Sequence, residues 1–297
     1  MVLDRGPWTS TLEYINALGT NETRWIESHA KPRMNFQRSM EEPESPDELL
    51  SLLERFLRLA PYLVPTTPEG VLTKTLSHPD LHLDNVFIDL GTRKISSVID
   101  WQSTSVSEMF LQRRVPPMFL PENSGLDQAK SGSETQEFAK RMAPNTDLQD
   151  HYMALTKSSN SQRGATLNDK NISIRMKSVS LVCGAWERED VFSFRHALIA
   201  VVANWKQILA ESTPCPIEFS KLELELHREE LELIEDLGNV MHQLQDANWI
   251  PLGGMVRPEH YEKARHANKR FKEIFISLAE NEEQRVLHAK VWPYEES

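Results

Sequence analysis

Apolar positions along this chain follow two spacings, and the spacings divide it. After Ser45-Pro46-Asp47-Glu48, residues Leu49, Leu52, Leu53, Phe56 and Leu59 recur every three or four positions, which predicts a helix with one buried face, ending before Pro61. Ser45 and Glu48 have the capping-box spacing, and Pro46 takes the first helical position, where a missing N–H costs nothing. The same box occurs at Ser10-Thr11-Leu12-Glu13 and at Ser220-Lys221-Leu222-Glu223. Further helices are predicted over Phe192–Leu209, Lys221–Gln245, Pro258–Leu278 and Glu282–Lys290. Leu222, Leu226, Leu233, Leu237, Val240 and Leu244 trace one face of the second, and its glutamates read as a solvated face.

Between these helical stretches the pattern shortens. Val71 to Leu76 reads as a strand. Val86 to Asp89 and Ile95 to Ile99 are β-prone runs joined by Leu90-Gly91-Thr92-Arg93-Lys94, which predicts an antiparallel hairpin. After Asp100 the chain reads as helical or irregular. Residues 122–170 hold few apolar anchors before Tyr152, Met153 and Leu155, and the expectation there is a mobile insert.

The chemistry sits where the short strands meet. His78-Pro79-Asp80-Leu81-His82-Leu83-Asp84-Asn85 has the spacing H-x-D-x-x-x-x-N of a kinase catalytic loop, in which the Asp orients the attacking hydroxyl and the Asn holds magnesium. The hairpin then returns the chain, so that Asn85 and Asp100 are expected side by side, with Asp80 facing the same cleft. An amide oxygen and a carboxylate are the hard donors that magnesium takes alongside phosphate oxygens and water. Asp80 is thus the candidate base and Asn85 and Asp100 the candidate metal ligands. His78 is placed in the catalytic loop as a hydrogen-bonding and packing residue.

These residues resemble the aminoglycoside phosphotransferase and choline kinase-like superfamily, whose members carry H-G-D-L-H-x-x-N, a hairpin and an I-D-W-[EQ] turn; here the turn is Ile99-Asp100-Trp101-Gln102. Asp4-Arg5-Gly6-Pro7-Trp8, Gly184-Ala185-Trp186, Cys215-Pro216 and Gly254-Met255-Val256 are similar to the fungal branch called altered inheritance of mitochondria protein 9. In that branch Pro79 stands where bacterial relatives have glycine. The resemblance implies an α+β fold, the mainly helical C-terminal lobe of a protein-kinase-like phosphotransferase with a small catalytic hairpin sheet, over residues 1–297. It also implies ATP and Mg2+ as cofactors, a small-molecule hydroxyl as acceptor of unknown identity, and a mitochondrial address.

The other half of such a fold is expected to be absent. A kinase-like N-terminal lobe supplies a glycine-rich turn over the phosphates and a strand lysine. Before Asp80 the glycines are Gly6, Gly19 and Gly70, none in a G-x-G arrangement, and the lysines are Lys31 and Lys74. Lys74 enters the catalytic loop and cannot be the strand lysine by topology. The expectation is weak or absent nucleotide binding, and an exposed, adhesive upper face that a protein partner would cover. Two rivals follow: a silent pseudokinase that acts by binding, and a metal-dependent hydrolase built on His78, Asp80, His82 and Asp84.

A formal charge of -11 argues against nucleic acid or an anionic membrane as partner, since both reward a basic face. No apolar run approaches a membrane span. The two cysteines, Cys183 and Cys215, cannot build a disulfide framework and read as small buried hydrophobes in a reducing compartment. The first residues carry Asp4 and no apolar core, unlike a transit peptide, so a cytoplasmic location is expected for the chain as it stands.

Overall fold

Ser10 caps the first helix, α1 (Thr11–His29), by accepting the N–H of Glu13 at 3.2 Å. The Glu13 carboxylate turns back to the N–H of Thr9 at 2.7 Å, one residue earlier than the simple capping box places it. In the computed structural model, residues 2–35, 43–65, 71–102, 104–112, 115–119, 146–209, 212–246, 258, 261–279 and 281–292 are described. They fall into two units. The first comprises 1–31, 46–122 and 144–219, and the second 32–45, 123–143 and 220–297. The fold is mixed α+β, mostly helical, with two small antiparallel ribbons.

In the first unit α2 (Pro46–Leu63) buries Leu49, Leu52, Leu53, Phe56 and Leu59, the face its sequence predicts. The helix runs through Pro61 rather than stopping before it. Proline in a last turn removes only one backbone bond, and the buried side chains of Ala60 and Leu63 hold that turn down. Helix α1 packs on α2 at Gly19, where a Cβ would lie 2.8 Å from Leu57 and 2.9 Å from Phe56. Helices α3 (Thr146–Ser159), α4 (Ser161–Asn168), α5 (Lys170–Leu181), α6 (Val191–Ala203) and the short α7 (Trp205–Ile208) complete the unit. Phe194 of α6 meets Phe56 with ring centroids 5.8 Å apart. Where a mobile insert is expected at 122–170, residues 146–168 form α3 and α4, capped between them by Asn160 on the N–H of Arg163; 120–145 lie outside the described residues.

The ribbons carry a further correction. Strand β1 (Lys74–Ser77) pairs antiparallel with β4 (Ser105–Glu108), and β2 (Val86–Asp89) pairs with β3 (Lys94–Val98). A strand after Asp100 is missing from the sequence reading because Ser105-Val106-Ser107-Glu108 holds one apolar residue and no alternation. Its pairing to β1 is reinforced by Gln112, whose amide donates to the Thr75 carbonyl at 2.8 Å and the Ser107 hydroxyl at 2.6 Å. Neither cysteine is fully buried: Cys183 is exposed, and Cys215 is half-buried against the core.

In the second unit Ser220 and Glu223 form the full reciprocal box at the start of α8 (Lys221–Asp246). Leu222 and Leu226 on its first turns are exposed while His227 is buried, so the leucine spacing does not mark the buried side there. Arg228 bonds Glu225 and Glu232 across the helix surface. Helices α9 (Tyr261–Ser277) and α10 (Glu282–Val291) bury Ala267, Phe271, Phe275 and Trp292, with the Trp292 indole donating to Asn268 at 2.8 Å. Among the described residues no helix is long and apolar enough to cross a membrane. Gly254-Met255-Val256 and Trp249 lie outside the described residues.

Candidate active site

The loop between β1 and β2 is held by side chains bonding its own backbone. His78 follows β1, and its Nδ1 accepts the N–H of Asp80 at 3.3 Å while its Nε2 lies 2.8 Å from the carbonyl of Ile99. A nitrogen facing a carbonyl must donate, so the proton sits on Nε2. The ring also meets Trp101 edge-on at 4.9 Å, and the Trp101 indole donates to the Val98 carbonyl at 2.8 Å. His78 and Trp101 thereby tie the loop to the end of β3. Trp101 is half exposed, an anchor for the hairpin rather than for a core.

Leu83–Asn85 form a single 3-10 turn leading into β2, with the Asn85 N–H donating to the His82 carbonyl at 3.1 Å. Asn85 is buried at 6% exposure, in contrast with its neighbours. Its Nδ2 donates to the Asp80 carbonyl at 3.0 Å and lies 3.0 Å from His82 Nε2. Since a carbonyl can only accept, the amide orientation is settled, and no hydrogen bond among the described residues reaches Oδ1. The Asn85 carbonyl accepts the N–H of Ile99 at 3.0 Å, which sets residue 100 immediately after the partner of residue 85.

The hairpin that makes this return has its own lock. Asp89 accepts both the N–H and the hydroxyl of Thr92 at 2.6 Å, and Arg93 takes a positive φ of 53° as its N–H bonds the Asp89 carbonyl at 2.8 Å. The Thr92 hydroxyl bond, with the backbone N–H beside it, holds the Asp89 carboxyl below its usual range. The register slips one residue between Phe87 and Ile88, and the extra residue Ser96 donates to the Phe87 carbonyl at 3.1 Å.

Asp80 presents a side chain that is 71% exposed, and Asp100 is exposed with φ of 61°. A left-handed aspartate costs free energy that ordinary backbone does not, and such residues concentrate at functional positions. His82 lies 3.6 Å from an oxygen of Asp80 and 3.6 Å from one of Asp84. Among the described residues no three His, Cys, Asp or Glu side chains converge so as to hold a metal ion. Sequence reasoning missed His82 as a partner of Asn85 and β4 as the partner of β1. The i,i+3 spacing of His82 and Asn85 across a turn was the available signal.

The surface around the loop is apolar. Leu76, Leu83, Phe87, Ile88, Ile95 and Val106 are all exposed; in β2 and β3 every residue but Val86 and Val98 is exposed, whereas in β1 exposed and half-buried residues alternate.

Residues 11–110, which contain every residue of this site, match the family model described as phosphotransferase enzyme family. The chain is 28% identical over 302 aligned residues to two Aspergillus fumigatus proteins, both called subtelomeric hrmA-associated cluster protein, from strains CBS 144.89 and Af293. The alignment covers 97% of this chain and 58% of each relative, so the chain spans a little over half their length. No solved structure matches.

Proposed function

We propose that this phosphotransferase-like chain carries the catalytic-loop lobe of a small-molecule hydroxyl kinase, and that by itself it binds ATP weakly and transfers phosphate poorly. The observation that carries the reading is Asn85: its Nδ2 donates to the Asp80 carbonyl and lies 3.0 Å from His82 Nε2, and among the described residues its Oδ1 has no donor. Asp100 follows Ile99, the backbone partner of Asn85, which supports reading an amide oxygen and a carboxylate as the hard donors that magnesium takes. Bound Mg2+ would supply charge neutralisation on the nucleotide phosphates.

The chain's own residues have simpler tasks. Asp80, exposed and acceptor-only when ionised, orients an acceptor hydroxyl and takes its proton. His78 holds the Asp80 N–H from one side and Ile99 from the other, which keeps the loop and the hairpin end in one geometry. Asn85 and Asp100 are the ligands. The acceptor substrate and the compartment, mitochondrial or cytoplasmic, stay open.

Weak nucleotide binding follows from what residues before Asp80 lack, a glycine-rich phosphate cradle and a strand lysine. Removing a single electrostatic interaction of that kind costs about 2.7–4 kcal/mol of transition-state stabilisation. The exposed apolar ribbons support the second reading, a pseudokinase whose loop is kept for binding a protein that covers this face. Calorimetry with Mg-ATP and the 297-residue chain tests the proposal. Micromolar binding abolished by Asp100→Ala would overturn the weak-binding claim, and binding with no phosphotransfer to any hydroxyl would favour the pseudokinase.

A further inference from the structure

We infer that His82 is a positioning residue for the metal site: its Nε2 lone pair holds the second hydrogen of the Asn85 amide and so fixes where Asn85 Oδ1 faces. The inference rests on the reading of Asn85 and Asp100 as ligands, and goes beyond it by assigning a residue that touches neither metal nor substrate.

The geometry is closed on three sides. The Asp80 carbonyl, 3.0 Å from Asn85 Nδ2, admits only a donor, so Nδ2 is the nitrogen whatever the state of the histidine. His82 Nε2, also 3.0 Å from Nδ2, must then accept, which leaves the ring's proton on Nδ1, 3.6 Å from Asp84 Oδ2. His82 reaches Asn85 a second time through its backbone, whose carbonyl takes the Asn85 N–H at 3.1 Å. With one acceptor the amide could still swing about its side-chain bonds; with two it has one plane. Groups that orient a ligand without touching the ion change metal affinity by about 10–100-fold when removed.

Histidine suits the task because its ring is rigid and reaches back over one 3-10 turn. Glutamine can place an amide oxygen near the position of Nε2, whereas leucine fills the volume with no acceptor. The carboxylate of Asp80 lies 3.6 Å from the same Nε2, so a donor there would draw the proposed base toward the ring instead of leaving it exposed.

The test has two readings. In the wild-type chain with 15N-labelled histidine, two-bond correlations report the tautomer, and a proton on Nδ1 of His82 is expected; a proton on Nε2 overturns the inference without reference to any metal. Mn2+ binding, followed by its paramagnetic signal, is then compared across variants. His82→Leu is expected to lose at least about tenfold in Mn2+ affinity while His82→Gln stays within about threefold. If His82→Leu binds as wild type while Asp100→Ala does not, the positioning role fails and the metal site stands. If wild type and Asp100→Ala bind alike, the metal site fails and the inference with it. Equal losses in His82→Leu and His82→Gln overturn the acceptor role.

Discussion

His78 spans 21 residues of sequence to place its Nε2 2.8 Å from the carbonyl of Ile99, next to the aspartate that follows it. The other nitrogen of the same ring accepts from Asp80. One side chain therefore sets the distance between the proposed base and the proposed ligand, without taking part in either task. Replacing it with alanine should cost about 1 kcal/mol in unfolding free energy, the net worth of a hydrogen bond at an exposed site. The larger expected effect is on Mn2+ affinity, which should fall with that of Asp100→Ala. His78→Gln, which can keep the Ile99 bond, should recover part of it. A His78→Ala variant with unchanged Mn2+ affinity would separate the ring from the site.

Asp100 is held at φ of 61°, which alters what its replacement does. Alanine in the left-handed region is penalised by roughly 1–2 kcal/mol, where aspartate and asparagine are better tolerated. Asp100→Asn and Asp100→Gly should therefore unfold at or above the wild-type denaturant midpoint, and Asp100→Ala below it. Equal midpoints for all three would show that the backbone there is not strained.

Asp89 makes the hairpin acid-sensitive. The Thr92 hydroxyl and N–H lower its folded-state pKa, so the stabilisation is fully present above the unfolded-state value near 3.8 and lost as pH falls through the folded value. Amide exchange at Thr92 and Arg93 should accelerate below about pH 4. Asp89→Ala should show that faster exchange already at neutral pH. Protection at Thr92 that persists in Asp89→Ala would mean the turn closes without its carboxylate.

Arg175 is buried, and its guanidinium donates to the carbonyls of Tyr62 and Ile208, with Val64 at 3.4 Å. Tyr62 lies in the last turn of α2 and Ile208 ends α7, so two orphaned carbonyl ends share one cation. Burial pushes the guanidinium's pKa down, while Asp169 opposes it. Arg175→Met keeps the stem and leaves those carbonyls unsatisfied, at a cost of about 3 kcal/mol in urea unfolding. A loss under about 1 kcal/mol would mean that water replaces the guanidinium.

Gly19 opposes two effects of similar size. Alanine is favoured over glycine inside a helix by about 1 kcal/mol, whereas a Cβ here would sit 2.8 Å from Leu57 and 2.9 Å from Phe56. The Phe56 ring is fully buried and has nowhere to move, so overpacking of about 1–3 kcal/mol should prevail. Gly19→Ala should lower the thermal midpoint; a rise would show that α1 shifts on α2 with ease.

The local code of this chain is strong wherever one residue's chemistry settles the outcome. Ser10, Ser45-Pro46 and Ser220 mark helix starts, Leu49 to Leu59 mark a buried face, and the run from Val86 to Ile99 marks a hairpin, because capping, period and turn act over a few residues. The loop spacing of His78, Asp80 and Asn85, and the hairpin that returns the chain toward Asp100, were legible for the same reason, while their roles are a proposal. What neighbours distant in sequence provide was not legible. Strand β4 exists because β1 and Gln112 supply partners to a segment with little β character of its own, and α2 passes Pro61 because the residues beyond it are buried. The contact of His82 with the Asn85 amide and the left-handed turn at Asp100 depend on where two backbones meet, and no spacing in the sequence specifies either.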